Sequence, residues 1–146
     1  MLYQMIYSSN AIQTMNSTHL EEILVDARIG NDARDVTGAL VYVDGVFLQI
    51  LEGERAVLDS LVASIRDDSP HDSMKVFHEA EIPVRVFSDW RMAYLSPEVA
   101  DVSRWAGLEG TGTIDELLQR VHRDAQHVPR ILISIVNAIA EKSNQL

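Results

Sequence analysis

The chain has 146 residues, of which 47% are hydrophobic and 23% charged, a composition typical of one globular domain. Its net charge of −10 disfavours non-specific binding to nucleic acid or anionic lipid, because their phosphates carry the same sign. It has no cysteine, which excludes disulfides, thiolate nucleophiles and cysteine-ligated metal sites. Because it has neither a long apolar run nor a basic leader, we expect a cytoplasmic protein that binds no nucleic acid and no membrane.

The first half of the chain predicts a strand, a helix and a hairpin. A short apolar segment over 2–7 predicts a strand, and helical spacing of apolar residues predicts a helix over 18–30. Two further strands, over 38–43 and 46–51, flank Asp44-Gly45, a pair typical of a type I′ turn.

The next segment predicts a second helix over 54–66 and two more strands over 75–82 and 90–95. The order is therefore βαββαββ. A sheet that buries both helices on one face, through right-handed crossovers, gives a ferredoxin-like α+β sandwich.

The tail has a different pattern from the sheet region. Two apolar stripes predict two helices, the first through Ile114, Leu117, Leu118 and Val121 and the second through Ile131, Leu132, Ile135 and Ile139. We expect a domain over 1–95, a linker over 96–112, and a helical extension over 113–146 that is not an independent domain. The extension should pack on the open face of the sheet or on a partner chain.

Two polar residues interrupt predicted core strands. Tyr7 closes the first strand, and Gln49 lies within the apolar run Phe47-Leu48-Gln49-Ile50-Leu51. A buried phenol or amide must find a partner, because leaving one unsatisfied costs roughly 1–3 kcal/mol. If both faces look toward the helices, the two side chains meet. The alternative is that Gln49 faces solvent and Tyr7 is ordinary core.

Four separated motifs together resemble those of the BLUF family, the sensors of blue light using flavin. They are Ile6-Tyr7-Ser8-Ser9, Asn31-Asp32-Ala33-Arg34-Asp35-Val36-Thr37-Gly38, Phe47-Leu48-Gln49-Ile50-Leu51-Glu52-Gly53, and Asp89-Trp90-Arg91-Met92. The resemblance spans 1–95, and the family's fold is the βαββαββ sandwich. The tail helices resemble those of short, stand-alone members. The resemblance implies a photoreceptor and not an enzyme.

The resemblance also implies a place for the flavin. The ring would lie between the two helices of the sandwich, with apolar contacts from Ile23, Leu24, Leu61 and Ile65. Asn31 would bind the polar edge of the ring. Gln49 would bridge Tyr7 and the flavin N5/O4 edge.

By the same resemblance, Tyr7 supplies an electron and a proton after excitation, and Gln49 is left with changed hydrogen bonds. Trp90 and Met92, two residues apart on a predicted strand, would share a face and transmit the signal. Asp68 and His71 match residues near the ribityl chain, while Pro70 stands where members often carry a base. We expect FAD, with FMN or riboflavin as alternatives.

Two alternative functions are also consistent with the sequence. A flavin-free ligand-sensing or interaction module is one, and an acylphosphatase-like hydrolase is another, although Ser8-Ser9-Asn10 offers no anion-binding loop. The histidines lack zinc-site spacing, so we expect no metal. The acidic surface and the apolar tail favour a homo-oligomer and a downstream protein partner.

Overall fold

The computed structural model describes residues 2–11, 17–67, 71–124 and 126–144. In chain order the elements are β1 (Leu2–Ala11), α1 (Ser17–Arg34), β2 (Thr37–Val43), β3 (Val46–Glu54), α2 (Arg55–Asp67), β4 (His71–Glu81), β5 (Ala93–Leu95), α3 (Val99–Ala106), α4 (Ile114–Arg123) and α5 (His127–Asn144). The predicted βαββαββ order is confirmed, and three helices follow it.

One five-stranded sheet runs through the molecule in the order β4-β1-β3-β2-β5. β1 pairs antiparallel with β3 and β4, and β2 pairs antiparallel with β3. The short β5 adds to the free edge of β2 in parallel. The first four strands thus have the predicted ferredoxin-like arrangement.

The hairpin between β2 and β3 turns at Asp44 and Gly45, as predicted. Both residues have positive φ, at 48° and 78°. A type I′ turn needs positive φ at both central positions, and its twist matches that of the flanking strands. The turn sets the register in which Val43 faces Val46.

The sheet separates two hydrophobic cores. The face toward α1 and α2 buries Tyr3, Met5, Tyr7, Leu40, Phe47 and Leu51. The opposite face buries Ile6, Val41, Leu48 and Ile50 against apolar residues of α3, α4 and α5. Side chains alternate along a strand, so each central strand contributes to both cores. Of the two positions expected for the tail, it therefore occupies the open face of the sheet.

The tail contains three described helices where the sequence predicted two. The additional one, α3, lies within 96–112, the segment predicted as a linker. Its start is marked by a hydrogen bond from the Glu98 amide to the Asp101 carboxylate (3.0 Å), and Gly107 follows its end with φ 75°. The helix has only eight residues, and its buried Val102 and Ala106 are too few for a clear stripe.

The end of α1 and the start of β5 also differ from the predictions. α1 continues through Gly30 and Asn31 to Arg34, since the true stop is Asp35, with φ 55°. The Val36 amide bonds to the Asn31 carbonyl (2.9 Å) and the Asp35 amide to the Asp32 carbonyl (3.4 Å), the two bonds of a Schellman motif. The strand predicted over 90–95 begins only at Ala93, because the chain bends at 91–92.

None of the described helices is long and apolar enough to cross a lipid bilayer. The most apolar stretches of α4 and α5 are instead buried against the sheet.

Gly38 should tolerate no side chain. A Cβ there would lie 1.9 Å from the Ile50 carbonyl oxygen, so β2 and β3 would have to separate. We expect Gly38→Ala to lower the free energy of unfolding by about 1–3 kcal/mol, as overpacking does. Urea unfolding measures this. Gly112→Ala is the matched control, because nothing lies within 4 Å of its Cβ position. Equal midpoints for the two variants would contradict the prediction.

Candidate functional site

A phenol and an amide lie side by side at the centre of the sheet, on the face toward α1 and α2. Tyr7 of β1 is directly opposite Gln49 of β3 in the strand register. Both are buried, with exposed fractions of 0% and 6%. The Tyr7 hydroxyl donates a hydrogen bond to Gln49 Oε1. The predicted meeting of these two side chains is therefore present.

The surroundings of Tyr7 keep its hydroxyl protonated. Burial raises the pKa of Tyr7 far above its ordinary value, because a phenolate would lose its hydration in this core. The hydroxyl group donates its hydrogen bond to the side-chain carbonyl oxygen of Gln49. The pair thus holds a neutral phenol whose proton is directed at an amide.

Apolar side chains of the two helices flank this pair. Leu24 of α1 is buried, while Ile23 of α1 and Leu61 of α2 are half-buried and pack on the same core. Ile65 lies in α2, and its side chain is outside the described part. Apolar walls with a few convergent polar groups are typical of sites that bind small molecules and cofactors. The residues present fit a flavin ring.

Asn31 is buried near the end of α1, on the same side of the sheet. Its Nδ2 donates to the Arg91 carbonyl at 2.6 Å, and Arg28 Nε donates to the Met92 carbonyl at 3.0 Å. Two side chains of α1 are therefore tied to the backbone just before β5. This link was not predicted, because it depends on which carbonyl groups the fold brings beside the helix.

The expectation that Trp90 and Met92 share a strand face is wrong. Met92 is buried in the core under α1 and α2, with 2% of it exposed. Trp90 is half-buried and packs on the other core, its ring 6.4 Å from that of Phe87. The bend at 91–92 breaks the alternation that a continuous strand would have imposed. The two side chains thus contact opposite faces of the sheet.

The residues expected near the ribityl chain are less well defined. Asp68 lies outside the described residues. His71 is the first residue of β4, paired with Ala11 of β1, and its side chain is not among those described. Their role stays a prediction.

A family model described as "BLUF: Sensors of blue-light using FAD" matches residues 2–93. Among curated proteins, the photoactivated adenylate cyclase subunit beta of Euglena gracilis is 31% identical over 99 residues, 67% of this chain and 12% of that protein. The alpha subunit from the same organism is 35% identical over 86 residues, 59% of this chain and 8% of that protein. The chain thus spans about a tenth of the length of these relatives.

Solved structures resemble nearly the whole chain. The photo-activated state of BlsA superposes with a TM-score of 0.79 at 27% identity, covering 93% of this chain and 95% of that one. The dark state of BlrB, described as a BLUF protein, has a TM-score of 0.71 at 23% identity and covers 94% of this chain and 96% of that one. The latter likeness concerns the fold alone. Because the matched segment exceeds half of the chain and contains the buried Tyr7–Gln49 pair, this protein belongs to the BLUF family of flavin-binding blue-light sensors.

Proposed function

We propose that this chain is a photoreceptor in which Tyr7 and Gln49 carry out the photochemistry and the segment before β5 passes the change to protein contacts. The observation that supports this most directly is the buried hydrogen bond from the Tyr7 hydroxyl to the Gln49 amide. It lies on the sheet face that the apolar side chains of α1 and α2 cover. No substrate is turned over in this scheme.

A flavin would be held between Ile23 and Leu24 of α1 and Leu61 of α2, and it would supply a light-excited state able to accept an electron. Tyr7 would be the donor: one electron and the hydroxyl proton would leave it, and both would return to it as Gln49 is left with changed hydrogen bonds. Asn31 orients the polar edge of the ring from the end of α1. Leu24 and the other apolar side chains keep water from the pair, so the transferred proton stays local.

Gln49 retains the light-induced change as a new arrangement of its hydrogen bonds. Its amide offers one carbonyl acceptor and two N–H donors, so a half turn or a tautomeric shift replaces an acceptor by a donor at the same place. Neither change alters the net charge, which suits a site buried in an apolar core. The Tyr7 hydroxyl is a donor in the described arrangement and accepts in the reversed one.

The output begins at Met92, which lies on the same side of the sheet as Gln49. Trp90, two residues earlier, packs on the core that α3, α4 and α5 cover. Met is a soft, flexible side chain suited to repacking. A shift of residues 90–92 would therefore change side-chain packing on both faces of the sheet. The tail helices would then change their contacts with another subunit or with a downstream protein partner.

We further propose FAD as the natural flavin, from the family description, with FMN or riboflavin as alternatives. Acid extraction and chromatography of the purified protein identify which is bound. The site that would distinguish them lies near Asp68 and His71, where the ribityl chain is expected.

The purified protein should be yellow, and blue light should shift its flavin absorption to the red, with full recovery in the dark. The reason is that an altered Gln49 amide strengthens hydrogen bonding to the ring without consuming flavin. Absorption spectra before, during and after illumination measure this. A colourless protein that takes up no added flavin would overturn the proposal and favour a flavin-free interaction module.

Tyr7→Phe should bind flavin and lose the light-induced shift. The substitution removes the hydroxyl that donates to Gln49 while keeping the ring that packs in the core. Tyr42→Phe is the matched control, because Tyr42 lies in β2, half-buried, with its ring 5.0 Å from Phe47. A full shift in Tyr7→Phe would refute the electron-donor role.

Stability should depend on alkaline pH through Tyr7. The folded protein keeps the phenolic proton because burial raises the pKa, whereas the unfolded chain releases it near pH 10. The folded state then binds more protons, so the free energy of unfolding falls by about 1.4 kcal/mol per pH unit above that point. Urea unfolding from pH 9 to 11 should show this fall, and Tyr7→Phe should reduce it. Identical slopes in both proteins would contradict the assignment.

A further inference from the structure

The segment 82–92, between β4 and β5, has no helix or strand, yet it carries Phe87, Trp90 and Met92 into the two cores. Its far end is tied to α1 through the Asn31 and Arg28 side chains. A segment of this length without regular structure needs other bonds to hold one arrangement. Two backbone amides of this segment donate hydrogen bonds to the Glu52 carboxylate.

Glu52 is a carboxylate with no exposed surface, in β3, on the sheet face opposite Gln49. Four donors surround it. Oε1 accepts from the Phe87 amide (2.8 Å) and from Thr37 Oγ1 (3.3 Å). Oε2 accepts from the Val86 amide (2.8 Å) and from Gln4 Nε2 (3.0 Å). One side chain therefore joins β1, β2 and β3 to the backbone of the segment.

The donor set explains why an acid is required here. A carboxylate offers only acceptors when ionised, and all four partners are donors. Among the described residues, no cationic side chain forms an ion pair with it. The cost of burying the carboxylate is thus offset by hydrogen bonds alone, and an amide of the same shape would turn an N–H group toward other donors.

The Arg85 side chain also holds the segment in place through hydrogen bonds to neighbouring elements. Its Nη1 donates to Thr37 Oγ1 (2.9 Å) and to the Glu52 carbonyl (3.0 Å). Its Nη2 donates to the Asp35 carbonyl (2.8 Å) and contacts the Asp35 carboxylate at 3.3 Å. The Thr37 hydroxyl accepts from Arg85 and donates to Glu52. Three adjacent residues, Arg85 to Phe87, are therefore anchored to β2 and β3.

We infer that Glu52 is a positioning residue: it fixes residues 85–87 to β3, so that a rearrangement at Gln49 displaces Trp90 relative to a fixed point. Gln49 and Glu52 are three residues apart on one strand and face opposite sides of the sheet. Without the anchor, the segment would absorb the rearrangement locally, and Trp90 would stay where it is. The inference rests on the proposed photochemistry at Tyr7 and Gln49, which lies on the other face.

Glu52→Gln tests this in a Trp105→Phe background, where Trp90 is the single tryptophan of two that remains. Acrylamide quenching of Trp90 fluorescence is measured in the dark and under steady blue light, together with the flavin red shift. We expect the parent to show both responses. Glu52→Gln should retain the red shift and reduce the light-induced change in quenching at least about fivefold. A merely structural role would lower the unfolding midpoint but leave that change intact.

Glu109→Gln is the matched control, because it removes a carboxylate from an exposed position and should leave both responses unchanged. If Glu52→Gln does not fold, Thr37→Val tests the same anchor, since it removes the hydroxyl that donates to Glu52 and accepts from Arg85. A Trp90 response in these variants equal to that of the parent would refute the anchor. A red shift without any Trp90 response in the parent would also refute it. Absence of the red shift in the parent would instead refute the proposed photochemistry.

Discussion

The two-residue alternation of β3 is the constraint on which the rest of the molecule depends. Because successive side chains point to opposite faces, one strand places Gln49 on the face under α1 and α2 and Glu52 on the opposite face, where Glu52 accepts from the Val86 and Phe87 amides. Both polar groups are satisfied by hydrogen bonds, so neither carries the full penalty of burial. A central strand that is buried on both sides thereby connects the proposed light-sensing face with the proposed output face.

The two buried polar sites differ in how much freedom they have. Gln49 has an amide, which can exchange donor and acceptor, and its described partner is a hydroxyl that can do the same. Glu52 has an acceptor-only group surrounded by four donors, among them two backbone amides. The first arrangement has two satisfied states and the second has one. The switch proposed at Gln49 needs the first property, and the anchor proposed at Glu52 needs the second.

The end of α1 is bonded to the 82–92 segment in a second way. Asp35 ends the helix in the left-handed region, and its carboxylate pairs with Arg85 at 3.3 Å and with Arg91 at 3.1 Å. Exposed ion pairs of this kind contribute little energy singly. The Asp35–Arg91 pair instead contributes to position, because it holds Arg91 beside α1, where the Arg91 carbonyl accepts from Asn31.

The sequence by itself determined the βαββαββ order and the hairpin at Asp44-Gly45, because local periodicity and turn chemistry carry those signals. It offered the meeting of Tyr7 with Gln49 as one of two alternatives. The four motifs also identified the family. Only the tertiary structure decided that Trp90 and Met92 lie on opposite faces and that Glu52 is buried among four donors. The reason is physical: these features depend on backbone groups of the 82–92 segment, whose path is set by long-range hydrogen bonds and not by any local pattern.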